Sequence, residues 1–238
     1  DPTPFYTVGR LFAAFACLLT IALVYRLGTA VGGRRTGLFA AALLSVSPLE
    51  LFISRLARPD APVVLFCTMS VWGALRVLKR PSLANYLLAG VAAGLAMSTK
   101  YYGVVAIVAL PVAHFLNAET RRAIRKPASW GKLVIAGISL LVAFAATSPF
   151  ALLEWPTTLE NLASEGRSTH LGADAYPPLA NLMWYCVHIV PAGLGLLAAL
   201  AVPFGILVLA RRDWKKMLVM SAFVLCFLAL ISVHTLHW

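Results

Sequence analysis

The chain is 238 residues long, 61% of them hydrophobic and only 12% charged, with a mean hydropathy of +0.84. That composition leaves too few polar groups to cover a water-facing surface, so it excludes a soluble globular domain and marks an integral membrane protein. The formal net charge of +11 does not point to nucleic acid as a partner, because the bases fall in short clusters between apolar runs, the pattern of membrane topology signals. The four cysteines, Cys17, Cys67, Cys186 and Cys226, lie inside apolar runs without CxxC or Cys/His spacing. They read as small core residues, with neither a disulfide framework nor a metal cage implied. The chain opens on Asp1 with no signal-peptide pattern and stops at "SVHTLHW" just after an apolar run, which reads as a piece of a longer protein.

Apolar runs follow at about 8–27, 37–53, 60–78, 84–98, 101–116, 132–150, 183–209 and 215–234. They predict an all-α polytopic transmembrane bundle of about eight helices. The fourth and fifth runs are short, and one interrupted helix over 84–116 is the competing reading. Charge decides between the two, since cytoplasmic loops are enriched in Lys and Arg. With eight crossings and an outside start, 15 of the 20 bases fall inside and seven of the nine acids fall outside. A single crossing over 84–116 would put "RRAIRK" outside and reverse every later loop, so the hairpin with its tip at "STKYYG" is preferred. The stretch 148–182 is too polar to span and too long for an ordinary connection. It is expected to lie along the outer membrane face as an extracytoplasmic loop, anchored by Trp155 and Tyr176, with a short amphipathic helix near Thr157 to Ser164.

The chemistry-bearing residues sit on the expected outer side. In "FISRLARPDAP", Arg55, Arg58 and Asp60 stand together at the lip of the bilayer, against the charge bias that orients the chain. One reading pairs Arg55 and Arg58 with Glu50 and Asp60, or lets them snorkel to headgroups. The other is a wet pocket where cations hold a phosphate and a carboxylate orients a sugar or a metal. Glu50, about one turn inside the lip after Pro48, must be paired, protonated or facing a cavity. Lys100 follows "LLAGVAAGLAMST", whose Gly90 and Gly94 form a small-residue face for close helix packing. It emerges beside Tyr101 and Tyr102, either as a snorkelling interface lysine or as a pocket cation. His170, in "RSTHLG", has Arg167, Glu165 and Asp174 near it in sequence, and is either solvated or a binding residue. His188, next to Trp184 and Tyr185, either packs or touches substrate.

The blocks "GRRTGLFAAALLSVSPLELFISRLARPDAPVVLFCTMSVWGALR", "LAGVAAGLAMSTKYYGVVAIVALP" and "SPFALLEWPTTLENLASEGRSTHLG" come in this order along the chain. Together they resemble the polyprenol-phosphate-sugar-dependent glycosyltransferases of the GT-C type, the group of the protein O-mannosyltransferases and lipid A aminoarabinose transferases. The resemblance covers nearly the whole chain and rests on order and topology more than on any single motif. It implies a glycosyltransferase domain over 1–238 that is partial and inactive alone, because the family's first outer loop, with its general-base aspartate, would precede Asp1 and a further helix block would follow Trp238. Asp60 matches the acidic position of the family's second outer loop and is the catalytic candidate. Lys100 matches a Thr-Lys pair, and His170 falls in a block with a recurrent His-Gly pattern. The substrate-binding set is then Lys100, Arg55, Arg58, Glu50, Tyr101 and His170. The implied reaction takes a sugar from a polyprenyl-phosphate carrier to a lipid, glycan or protein acceptor, at the outer face of a bacterial inner membrane. A divalent metal ion is the one cofactor this chemistry leaves open. The rival classes are a secondary transporter, which would show internal repeats and mid-membrane charges, and a lipid-linked substrate flippase.

Overall fold

The computed structural model describes residues 3–165 and 176–233, and 90% of it is helical, with no strand among the described residues. Helix α1, Thr3–Gly32, turns through Gly33 into α2, Arg34–Ser45. Gly33 has φ +87, a left-handed backbone that costs glycine little and other residues more. Just before the turn, Gly28 backs onto Gly37 so closely that a Cβ would come within 2.8 Å of the Gly37 Cα. The second apolar run, expected as one helix over 37–53, is broken into α2 and α3, Pro48–Ile53. Pro48 is the cause: it has no N–H to continue α2, and it holds Ser47 in an extended conformation. Ser47 then caps α3, its hydroxyl accepting from the Glu50 N–H at 3.3 Å.

Helix α4, Asp60–Lys79, is the centre of the bundle, packed by α1, by α5, Leu83–Thr99, and by the elements after it. The chain reverses at Lys100, enters a 3-10 segment, Tyr101–Val108, and continues as α6, Ala109–Leu116. The hairpin with its tip at "STKYYG" is therefore present. Helix α8, Pro127–Thr147, follows the short α7, Ala118–Arg122, and lies along α5. Here Gly90 fits against the Ala136 carbonyl and Ser139, and Gly94 against the Leu140 carbonyl, the close approach expected of that small-residue face. Small side chains fill the centre: Ala74, Ala89, Ala93, Ala96, Ala106, Ala109 and Ala113 are fully buried. Large apolar residues such as Phe12, Phe15, Leu18, Ile138, Leu141 and Val142 face outward, as lipid-facing positions do.

The segment after α8 carries α9, Pro149–Leu153, and α10, Trp155–Glu165, the latter covering the amphipathic helix expected at Thr157 to Ser164. The seventh run, expected as one helix over 183–209, is cut at Gly195. Before the cut lie α11, Pro178–Trp184, a π-type turn, Tyr185–Ile189, and α12, Val190–Leu194. Gly195 has φ +85, and α13, Leu196–Val233, starts after it. Asp213, at φ −156 and ψ 79, kinks α13 into arms 196–212 and 214–233. The first arm begins beside Pro48, at the Asp60 end of α4, and the kink lies with Lys79 at the other end. The second arm buries Val219 in the core and returns to Asn181, whose side-chain amide donates to the Ile231 carbonyl at 3.2 Å. Four helices, α1, α4, α8 and α13, are long and apolar enough to cross a membrane, and 83–99 and 101–116 form two shorter apolar helices.

Candidate functional site

Three of the singled-out residues meet at the N-terminal end of α4. Asp60 is the first residue of that helix, where the positive end of the helix dipole favours its negative charge. Lys100, between α5 and the 3-10 segment, donates from Nζ to Asp60 Oδ1 at 2.6 Å. Arg58, from the loop before α4, places Nε 3.3 Å from Asp60 Oδ2. Each carboxylate oxygen thus takes one cation. Asp60 and Lys100 are each about one quarter exposed, at 27% and 25%, whereas Arg58 is 61% exposed. The cluster is wet on the arginine side and shielded on the lysine side.

The local fold aims Lys100. The chain is extended there, and the Lys100 carbonyl accepts from the Gly103 N–H at 2.8 Å, which starts the 3-10 segment. Gly103 packs on the Ala96 carbonyl, where a Cβ would be 2.6 Å away, so only glycine lets the tip close over α5. The hydroxyls of Ser98 and Ser148 meet at 2.5 Å and tie the end of α5 to the end of α8. Lys100 Nζ also lies 5.5 Å from the centre of the Tyr102 ring, which packs in turn on Phe227 of α13. Burial works against the ammonium charge, but contact with Asp60 and Tyr102 outweighs it and holds the group above the ordinary lysine value.

The other candidates lie elsewhere. Arg55 is exposed and in no ion pair among the described residues; with Pro48, Leu51, Phe52 and Leu56 it lines an open groove of about 460 Å³. Glu50 is buried beside Cys17 of α1, and its Oε1 has no hydrogen-bond partner among the described residues. Tyr101 is 46% exposed and meets Tyr102 edge to face. His188 is stacked on Trp184 at the surface. His170, Arg167 and Asp174 lie outside the described residues. Among the described residues no three His, Cys, Asp or Glu side chains gather as a metal site. A divalent ion at Asp60 would share the carboxylate with Lys100 and Arg58, whose charges oppose it.

A second polar cluster, which the sequence reading did not single out, sits at the opposite end of the bundle. His114 is fully buried, sharing hydrogen bonds with Tyr86 Oη at 2.5 Å and Ser129 Oγ at 3.3 Å. The Thr120 hydroxyl donates to the His114 carbonyl, and Asn117 caps α7 while its amide donates to the Leu78 carbonyl at 2.9 Å. This network ties α4, α5, α6, α7 and α8 together; it touches none of the Asp60 cluster. The one signal for it in sequence is Asn117 followed by Glu119 and Thr120, a helix-start pattern.

No curated protein and no solved structure matches the chain at significance. A family profile described as Dolichyl-phosphate-mannose-protein mannosyltransferase matches residues 6–151, which take in Arg58, Asp60, Lys100 and the helices α4, α5 and α8. With more than half of its length inside that match, the chain belongs to the dolichyl-phosphate-mannose-protein mannosyltransferase family, and it is an integral membrane glycosyltransferase of the GT-C type.

Proposed function

We propose that the protein transfers a sugar from a polyprenyl-phosphate carrier to an acceptor at the extracytoplasmic face of a bacterial inner membrane. The observation that carries this reading is the Arg58–Asp60–Lys100 cluster, within the family match and at one end of the bundle. Two cations around one carboxylate leave a net charge of about +1, matched to a sugar phosphodiester. Asp60 holds Lys100 and Arg58 near each other against their mutual repulsion, so the anion site is formed before the donor arrives.

In the reaction the acceptor oxygen bonds to the anomeric carbon, and the bond from that carbon to the phosphate oxygen breaks. The acceptor proton passes to a base, and polyprenyl phosphate leaves with the electron pair, one negative charge richer. Lys100 and Arg58 stabilise that added charge in a site only partly open to water, where a charged hydrogen bond is worth about 1.5–3 kcal/mol. Asp60 then orients the sugar as its grip on the cations is shared with the phosphate. The apolar groove lined by Pro48, Leu51, Phe52 and Leu56, with Arg55 at its side, takes isoprene units of the carrier.

The orientation follows from charge. Counting α2 with α3 as one crossing, and the two arms of α13 as two, the chain crosses eight times, with α11 and α12 along the outer surface. The Asp60 end is then outside, and 15 of the 20 bases are inside. The test is transfer in membranes carrying the full-length protein, with radiolabelled polyprenyl-phosphate sugars and the membrane's own acceptors. Label moving from carrier to an acceptor supports the reading. Carrier crossing the bilayer with its sugar intact, and no transfer from any carrier supplied, would replace it with a flippase.

A further inference from the structure

A groove of about 600 Å³ opens at the far end of α4 from Asp60, beside Lys79, the last residue of that helix. Twenty residues of helix separate the two ends by about 30 Å, the thickness of a bilayer core. Whatever fills this groove is not the donor in its reactive position.

The lining divides by chemistry. Leu75, Leu78 and Leu116 make an apolar floor between α4 and α6, while Lys79, Lys215 and Glu119 stand on the rim. Asp213 and Lys216 also line it, but their charges answer each other at 3.1 Å. None of Lys79, Lys215 and Glu119 is in an ion pair among the described residues. The rim therefore offers two cations and one carboxylate in the headgroup layer, above a floor suited to an acyl chain. An anionic headgroup satisfies the lysines and is repelled by Glu119; a zwitterion carrying a phosphate and a primary ammonium satisfies all three. A water-soluble phosphate ester would leave the leucine floor bare.

We propose that this groove is a binding site for a phospholipid of the phosphatidylethanolamine type, its phosphate held by Lys79 and Lys215, its ammonium by Glu119, and an acyl chain on the leucine floor. By the charge distribution along the chain this lipid belongs to the inner leaflet. Its site is separate from the sugar-transfer cluster and gives the membrane a hold on the joint between α6 and the kink in α13.

Native mass spectrometry of the purified protein, offered phosphatidylethanolamine and phosphatidylglycerol in equal amounts, tests the site. The unaltered protein is expected to retain phosphatidylethanolamine preferentially. Lys79→Gln and Lys215→Gln should each weaken retention about fivefold, as expected of a lysine at the membrane surface. Glu119→Gln should turn the preference towards phosphatidylglycerol, whereas Arg121→Gln, at the same end and outside the groove, should change neither. As a measurement that needs no variant, phosphatidylethanolamine with a photoreactive acyl chain should label the peptides holding Leu75, Leu78 and Leu116. Retention unchanged in the Lys79 and Lys215 variants, or labelling spread evenly over the bundle, would overturn the proposal. A preference for phosphatidylglycerol in the unaltered protein would overturn the role of Glu119 and the choice of lipid.

Discussion

Lys100 and Asp60, forty residues apart in sequence, meet at 2.6 Å where α5 turns back beside the start of α4. The contact makes Asp60 the anion that keeps Lys100 and Arg58 together. Asp60→Asn keeps the size and removes the charge, so the two cations should separate. Transfer per folded molecule is expected to fall by about tenfold to a hundredfold, the equivalent of one charged hydrogen bond, with abundance close to normal because the cluster is partly wet. Parental turnover in this variant would remove Asp60 from the site.

The α5–α8 seam sets where Lys100 emerges, and its glycines are not equivalent to those on the outer face of α8. A Cβ at Gly90 or Gly94 meets the α8 backbone, while one at Gly131 or Gly137 meets nothing within 4 Å. Gly90→Ala and Gly94→Ala should each cost about 1–3 kcal/mol through forced separation of the helices. Gly137→Ala should leave the Tm unchanged or raise it, since alanine is the better helix former by up to about 1 kcal/mol. Thermal melts in detergent compare them; equal losses at all the sites would contradict the seam.

The orientation gives an expectation for cysteine labelling in a background without native cysteines. A membrane-impermeant thiol reagent added outside should label a cysteine at Ala57, in the loop before α4, and leave one at Ala123, after α7, unlabelled until the membrane is opened. The reverse pattern would invert the bundle and put the Asp60 cluster on the cytoplasmic face.

Asp213, at the kink of α13, accepts from the Lys216 N–H at 3.2 Å and pairs with its ammonium at 3.1 Å. Burial pushes its carboxyl up, but the contacts with Lys216 outweigh this and hold it below the ordinary aspartate value of 3.8. A carboxyl with a depressed folded pKa adds stability above its unfolded value, and that stability is lost as pH falls through the folded one. The Tm gap between the parent and Asp213→Asn should therefore be present at neutral pH and close only below about pH 3.8. The gap should be small, since both side chains are about one third exposed. A gap that persists unchanged at low pH would mean that the charge plays no part.

The legible features were those that depend on local composition or on charge. Membrane class, the hairpin tip at Lys100 and the packing face of Gly90 and Gly94 all follow from runs of one residue type or from the distribution of bases. The breaks were harder. Pro48 lies inside a run that hydropathy alone treats as continuous, and a window average cannot register one missing N–H. Gly195 hides within "VPAGLGLLAAL" because only its φ of +85 separates it from Gly193 beside it. The His114 network escaped because its partners, Tyr86 and Ser129, are 28 and 15 residues away, and a single buried histidine has no periodic signal. At the site, the charges around Asp60 were visible as exceptions to the orienting bias. Which of them touch was not, because Arg55 and Arg58 are one helical turn apart in sequence and only Arg58 pairs with Asp60.

Whether Lys100 is a cation for the carrier's phosphate is decided by assaying sugar transfer from a radiolabelled polyprenyl-phosphate sugar in membranes holding equal amounts of the full-length parent and of its Lys100→Ala variant. The variant should transfer about tenfold to a hundredfold more slowly, with Lys100→Arg recovering part of the rate because a cation returns. The control, Arg211→Gln with Arg212→Gln at the far end of the bundle, should transfer at the parental rate per folded molecule. Transfer by Lys100→Ala at the parental rate would remove Lys100 from the phosphate site and leave the Asp60–Lys100 pair as an anchor of the helix tip.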